Sequence, residues 1–213
     1  MSDAPEIPRL GAIREALAAR GRRPTRRFSQ NFLTDPALLG SIVDAAGVEA
    51  GDVVLEVGPG PGALTAALLA RGATVVAVEV DRVMAEVLRE LLGEPERLVL
   101  VEEDARAGGG APSPSTAAAL DRAEASAARS GYRLAANLPY AIASPLLVDL
   151  LWTRPPVAGA VTVQFEVADR LVAAPGSRAY GALSVLVALR AEATKVRRLP
   201  AGAFWPAPKV DSA

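Results

Sequence analysis

The chain has 213 residues, 51% of them apolar, with 23 basic side chains against 24 acidic ones: material for one medium domain with a buried core, and a balance that does not advertise a polyanion-binding protein. It contains no cysteine and no histidine, which excludes disulfides, thiol nucleophiles, Cys/His metal centres and the usual neutral-pH base. No apolar run approaches the roughly 18–20 residues of a membrane span and the N-terminus lacks the order of a secretory signal, so a cytoplasmic protein without membrane or metal is expected.

Apolar residues at helical spacing predict a helix over 12–20. RGRRPTRRF (20–28) follows, with five arginines, a basic patch of the kind that meets phosphates; a solvated arm is the alternative. Residues 1–27 therefore read as an N-terminal helix and basic arm, and 28–213 as one α/β domain. A helix over 36–46 is opened by Asp35 as N-cap with Pro36 at the first position. DVVLEVG is then a buried strand, 62–71 a helix, ATVVAVEV a second buried strand, 82–92 a helix and RLVLVEED a third strand. Residues 107–130, rich in Ala, Gly, Ser and Pro, read as a flexible insertion: a surface loop and a mobile alanine-rich helix. A fourth strand (132–137), a helix (144–152) and a fifth strand in VAGAVTVQF follow. Helices near 166–173 and 182–190 and a strand near 193–199 close the chain. Such alternation predicts a doubly wound, mainly parallel sheet, whose ligands bind at the carboxyl ends of the strands.

The residues with chemistry sit at those ends. LEVGPGPGALT (55–65) places Gly58, Gly60 and Gly62 between strand and helix, where the backbone must turn sharply and approach a ligand. The spacing Gly58-x-Gly60-x-x-Ala63 also fits a dinucleotide fingerprint. Pro59 and Pro61 lack N–H groups, however, which favours a ligand without phosphate and with a bulky zwitterionic tail; a purely structural turn is the alternative. Glu79, 21 residues after Gly58, stands where such folds place the carboxylate that grips ribose hydroxyls. Asp104 can accept from an adenine amino group, although Glu102 and Glu103 leave the register open by a residue or two. Asn137 closes the fourth strand. Its side-chain carbonyl and the Leu138 carbonyl can accept both hydrogens of an exocyclic amine. Pro139 sets the turn, and Tyr140 offers a ring face on which a base can stack.

FSQNFLTD (28–35), LEVGPGPGALT, NLPY (137–140), VADRLVAAPGSRAYGALSV (167–185) and FWPAPKVDSA (204–213) together resemble the KsgA-type ribosomal RNA adenine dimethyltransferases, in order from about residue 7 onward. The resemblance implies a class I, Rossmann-like methyltransferase that uses S-adenosylmethionine to make N6,N6-dimethyladenosine at two adjacent adenines near the 3′ end of small-subunit rRNA. It implies that Asn31 and Leu33 help close over the donor, that Gly58 faces its methionine part, Glu79 its ribose and Asp104 its adenine, with Gly60 and Asn137 also among the donor-binding residues. Asn137 with the Leu138 carbonyl would hold the target amine, and Tyr140 and Phe204 would sandwich the base. Arg22, Arg23, Arg26, Arg27 and Lys209 are the candidate RNA contacts, and a monomer acting on the immature 30S subunit is expected. The family usually continues into a small helical domain beyond the point where this sequence stops, and Phe165 stands where relatives commonly carry lysine. The competing readings are a large-subunit adenine methyltransferase of the macrolide-resistance type, a catalytically weak ribosome-assembly factor and a nucleotide-dependent oxidoreductase.

Overall fold

Valine-rich runs such as VVLEV and TVVAV cannot alternate inside and outside; they suit strands buried on both faces, and that is where they lie. The computed structural model describes residues 4–25, 28, 30–107 and 109–213. In chain order the elements are α1 (Leu10–Ala19), β1 (Phe32–Leu33), α2 (Pro36–Ala45), β2 (Val53–Val57), α3 (Ala63–Ala70), β3 (Thr74–Val78), α4 (Arg82–Leu92), β4 (Leu98–Val101), α5 (Pro114–Ala125), β5 (Tyr132–Asn137), α6 (Ala143–Thr153), β6 (Ala158–Thr162), α7 (Phe165–Leu171), α8 (Ala182–Ala188) and β7 (Phe204–Trp205). Five strands form one sheet in the order β4-β3-β2-β5-β6, every pairing parallel. The order reverses between β2 and β5, so the crevice of the sheet opens above their carboxyl ends.

Side chains alternate across the sheet. Val53, Leu55 and Val57 of β2 pack with Leu120 of α5 and Leu146 of α6 on one face. Val54 of β2 and Val75 of β3 pack with Leu39 and Val43 of α2 and Leu64 and Leu68 of α3 on the other. Asp35 caps α2 as the sequence predicts, accepting from the amides of Ala37 and Leu38 at 2.8 and 3.3 Å. Helix α1 packs on α4 through Ile13, Ala16 and Leu17 against Met84 and Val87.

Two expectations need correction. The alanine-rich part of 107–130 is not a loose helix: α5 is the crossover between β4 and β5, with Ala119 and Leu120 fully buried against the sheet. Alanine lets a helix lie close to a sheet, so low complexity there reflects packing and not disorder. No strand forms over 193–199. Of that stretch only Leu199 takes a bridge, antiparallel to Ser212, while Lys195 pairs with Asp169 and Arg198 with Asp211. Strand character needs a partner ladder, and residues 192–198 lie out from the sheet with their side chains largely exposed. Among the described residues no helix is long and apolar enough to cross a membrane.

Candidate active site

The loop after β2 is held by its own glycines. Gly58, Gly60 and Gly62 all take positive φ (71°, 54° and 88°), a region costly for residues with a Cβ. The approaches are close: a Cβ on Gly58 would lie 3.0 Å from Pro139 Cγ and one on Gly60 2.9 Å from Phe32 Cε1. The glycine loop thus touches the NLPY turn directly. All three glycine amides are engaged within the protein: Gly58 donates to the Val78 carbonyl at 2.9 Å, Gly62 to the Pro59 carbonyl at 3.0 Å and Gly60 to Glu79 Oε2 at 3.1 Å. With two prolines between them, residues 58–62 have no free amide for a pyrophosphate, which would be left to the first turn of α3. The loop itself thus suits a ligand without phosphate better than a dinucleotide.

Glu79 follows the end of β3 and is buried. Its Oε1 accepts from the Asp81 amide at 2.9 Å, while Oε2 holds Gly60. Burial pushes its carboxyl above the usual range, and the backbone donors at Asp81 and Gly60 oppose that shift. Each oxygen keeps a lone pair for a ligand hydroxyl. The acidic run after β4 separates into three tasks. Glu102 pairs with Arg89 at 2.5 Å. Glu103 turns to the N-terminus of α5, where it accepts from Ser113 and from the Thr116 amide. The Asp104 side chain accepts a local amide from Arg106 at 2.9 Å and stays exposed; it lines the cleft, as does Glu103. Of the two acids at the cleft, Glu103 is engaged with the start of α5, while the Asp104 side chain holds a local amide.

Asn137 stands at the end of β5. Its Nδ2 donates to the Asn31 carbonyl at 2.8 Å. Only the amide NH2 can serve a carbonyl, so Oδ1 is the free end, and it is buried without a partner. A buried acceptor left unpaired costs roughly 1–3 kcal/mol, and Asn137 is one of the residues that line a cleft with Leu138, Pro139 and Tyr140. The Leu138 amide is tied to the Thr162 carbonyl at 3.1 Å. The Tyr140 hydroxyl is hydrogen-bonded to Ser212 Oγ at 2.7 Å. Burial raises its pKa and the Ser212 hydrogen bond opposes that.

One cleft therefore gathers Asn31, Gly58, Gly60, Glu79, Asp104, Asn137, Leu138, Pro139 and Tyr140. Leu33 and Phe204 are not among its lining residues. They stand opposite each other in the short β1–β7 pair and are buried in the core cluster that holds Leu38, Leu39 and Leu199. Alternation along a strand explains this, since successive side chains point to opposite sides: Phe32, beside Leu33, is the residue that faces the cleft. Phe32 was missed, and a period-of-two reading of FL in QNFL is the signal that could have found it. Gln30 was missed too; it lines the cleft and joins the N-terminal segment to it, donating to Asp81 Oδ2 at 2.9 Å and accepting from the Thr25 amide at 2.8 Å. Of the proposed RNA contacts, Arg23 and Lys209 are exposed and Arg22 lies 4.0 Å from Asp81. Arg26 and Arg27 lie outside the described residues.

Known proteins resemble this chain over most of its length. The family model described as ribosomal RNA adenine dimethylase matches residues 21–213. The chain is 49% identical over 194 residues to the ribosomal RNA small subunit methyltransferase A of Anaeromyxobacter dehalogenans (strain 2CP-C), covering 90% of this chain and 66% of that protein. It is 45% identical over 205 residues to the protein of that description from Magnetococcus marinus, covering 95% and 69%. The chain thus spans about two thirds of the length of these relatives. Among solved structures, a dimethyladenosine transferase from Plasmodium falciparum superposes with a TM-score of 0.65 at 30% identity, covering 85% of this chain and 60% of that one. The 23S rRNA methyltransferase ErmE superposes with a TM-score of 0.64 at 27% identity, covering 86% and 67%.

Proposed function

The chain belongs to the ribosomal RNA adenine dimethylase family, and we propose that it transfers methyl groups from S-adenosylmethionine to the N6 amines of two adjacent adenines near the 3′ end of small-subunit rRNA. The observation that carries this is the buried, unpartnered Oδ1 of Asn137, a residue that lines the cleft. The cleft fits the donor: a glycine loop without free amides suits a ligand lacking phosphate, Glu79 suits ribose hydroxyls and Asp104 an adenine amine. When bound, S-adenosylmethionine supplies an electrophilic sulfonium methyl.

Everything else falls to the chain's own residues. An adenine amine is a poor nucleophile because its lone pair is delocalised into the ring. Asn137 Oδ1 and the Leu138 carbonyl accept its two hydrogens, favour a tetrahedral nitrogen and direct the lone pair at the donor. Tyr140 supports the base by stacking, worth roughly 1–3 kcal/mol. Holding both partners at near-attack distance can contribute roughly 7–11 kcal/mol. No strong base is needed, because the proton can leave after attack, and that suits a chain without histidine or cysteine. The base must be turned out of its helix to reach the cleft, at a cost of a few kcal/mol. Arg22, Arg23, Arg26, Arg27 and Lys209 are proposed to meet RNA phosphates. The proposed setting is a cytoplasmic monomer acting on the immature 30S subunit.

The test is transfer of labelled methyl from S-adenosylmethionine to undermethylated small subunits and, separately, to large-subunit rRNA, with Asn137→Ala alongside. The expected outcome is dimethyladenosine on the small subunit, reduced by roughly 10²–10³ in the variant, the usual cost of an oriented polar group at a reacting centre. Transfer to the large subunit instead would favour the activity named for ErmE. Donor binding without transfer to either would point to an assembly factor.

A further inference from the structure

The VDSA end of the FWPAPKVDSA motif (204–213) has no role in the chemistry so far, yet it reaches the cleft. Ser212 is fully buried. Its backbone is fixed on both sides: its amide and carbonyl exchange hydrogen bonds with Leu199 at 2.9 and 2.8 Å, and it is bridged antiparallel to Gln164. The neighbours hold it further. Ala213 and Val163 exchange two backbone bonds of 2.9 Å, and the Phe165 amide donates to the Asp211 carbonyl at 3.0 Å. Asp211 in turn accepts from the Ala201 amide at 2.9 Å and from Arg198 Nε at 2.8 Å. From this fixed point the Ser212 hydroxyl meets the hydroxyl of Tyr140, 72 residues earlier, at 2.7 Å.

A tyrosine ring can rotate about two side-chain bonds. The hydroxyl oxygen lies on the axis of the second bond, so a hydrogen bond there fixes where the ring points, while packing sets its turn about that axis. We propose that Ser212 is a positioning residue for the target base, anchoring the far end of the Tyr140 ring in the place that catalysis needs. The inference rests on the methyltransferase reading above. Ser212 does not touch the substrate; it acts through Tyr140. Asp211 supports it by clamping the Leu199–Ala201 turn against the same segment.

The experiment compares Ser212→Ala, Tyr140→Phe and the double variant in methyl transfer to undermethylated small subunits. In parallel, tyrosine Cζ resonances are followed by NMR across a pH titration. The chain has three tyrosines, and Tyr140→Phe assigns the relevant one. Each single variant removes one end of the same hydrogen bond and keeps the backbone ladder of Ser212. Each should lower kcat/KM by roughly three- to tenfold, the usual worth of one hydrogen bond, and the double variant should lose no more than either alone. In Ser212→Ala the Tyr140 resonance should titrate at higher pH than in the wild type, because burial then acts on the hydroxyl unopposed. Losses that multiply in the double variant, or a Tyr140 titration unmoved by Ser212→Ala, would overturn the inference. Wild-type protein that transfers no methyl would overturn the methyltransferase reading and this role together; an active wild type with multiplying losses strikes this role alone.

Discussion

At the scale of single residues, this cleft is a set of backbone problems solved before any ligand arrives. Gly60 is the sharpest case. Its φ of 54° and the 2.9 Å approach of Phe32 Cε1 leave no room for a Cβ, while its amide holds Glu79. Gly60→Ala therefore strains the loop by roughly 1–3 kcal/mol and swings the Glu79 carboxylate away from its place. We expect a lowered melting temperature and weaker binding of S-adenosylmethionine, by about five- to 150-fold if the whole strain is met on binding. Calorimetric titration would decide; unchanged affinity would show that the loop does not shape the donor site. The Asn137 amide shows the complementary logic. One end is tied to Asn31 and the other stays unpaired; the proposed function gives that end a partner, the target amine, which arrives from outside.

Elements explain where sequence reading went astray. The run AAALDRAEA looks like filler, but α5 carries Leu120 at 0% exposure onto β2 and β3. Its N-terminus is tied by Ser113 and Thr116 to Glu103, close to the cleft that Asp104 lines. Leu120→Ala should cost roughly 2–5 kcal/mol, as core truncations do. A urea midpoint equal to wild type would restore the loose-insertion reading. Likewise, Phe204 sits opposite Leu33 in the β1–β7 pair and within the core. Phe204→Ala should lose roughly 3–5 kcal/mol of stability. If the variant keeps wild-type stability yet loses activity, the residue stacks on substrate after all, and the buried position describes only the free protein. Residues one apart on a strand face opposite ways, which is why Phe32 takes the cleft and Leu33 the core.

For the molecule as a whole, the pH response should carry the mark of one buried acid. Glu56 lies on β2 at 1% exposure, its Oε2 accepting from Thr65 Oγ1 of α3 at 2.7 Å. Burial pushes its carboxyl from 4.5 up to about 8, against the Thr65 hydrogen bond and with the help of the Glu79 charge. A folded value above the unfolded one means that the folded state holds the proton. The group's contribution to stability is whole below about pH 4.5 and is lost as pH rises from there through about 8, a span of roughly 3–5 kcal/mol. Glu79, also raised, works in the same direction. Glu56→Gln keeps an acceptor for Thr65 and cannot ionise. It should be more stable than wild type at pH 9, similar at pH 4.5, and less dependent on pH between them. Urea midpoints at the two pH values test this; a wild-type midpoint that does not fall between them would refute it.

Most of the architecture was legible in the residues. Valine runs, glycine punctuation and the Asp35–Pro36 cap are local, and local chemistry marks a strand, a turn or a helix start wherever it occurs. The strand-end positions of Glu79, Asp104 and Asn137 followed from that alternation alone. Only the tertiary structure decided how Glu102, Glu103 and Asp104 divide their partners, that α5 belongs to the core, that Phe32 replaces Leu33 and Phe204 at the cleft wall, and that Ser212 reaches Tyr140. Each of these depends on contacts between segments far apart in sequence, or on the direction of a side chain relative to a distant neighbour. Periodicity along the chain says which residues share a face; what that face meets is settled only when the sheet has closed.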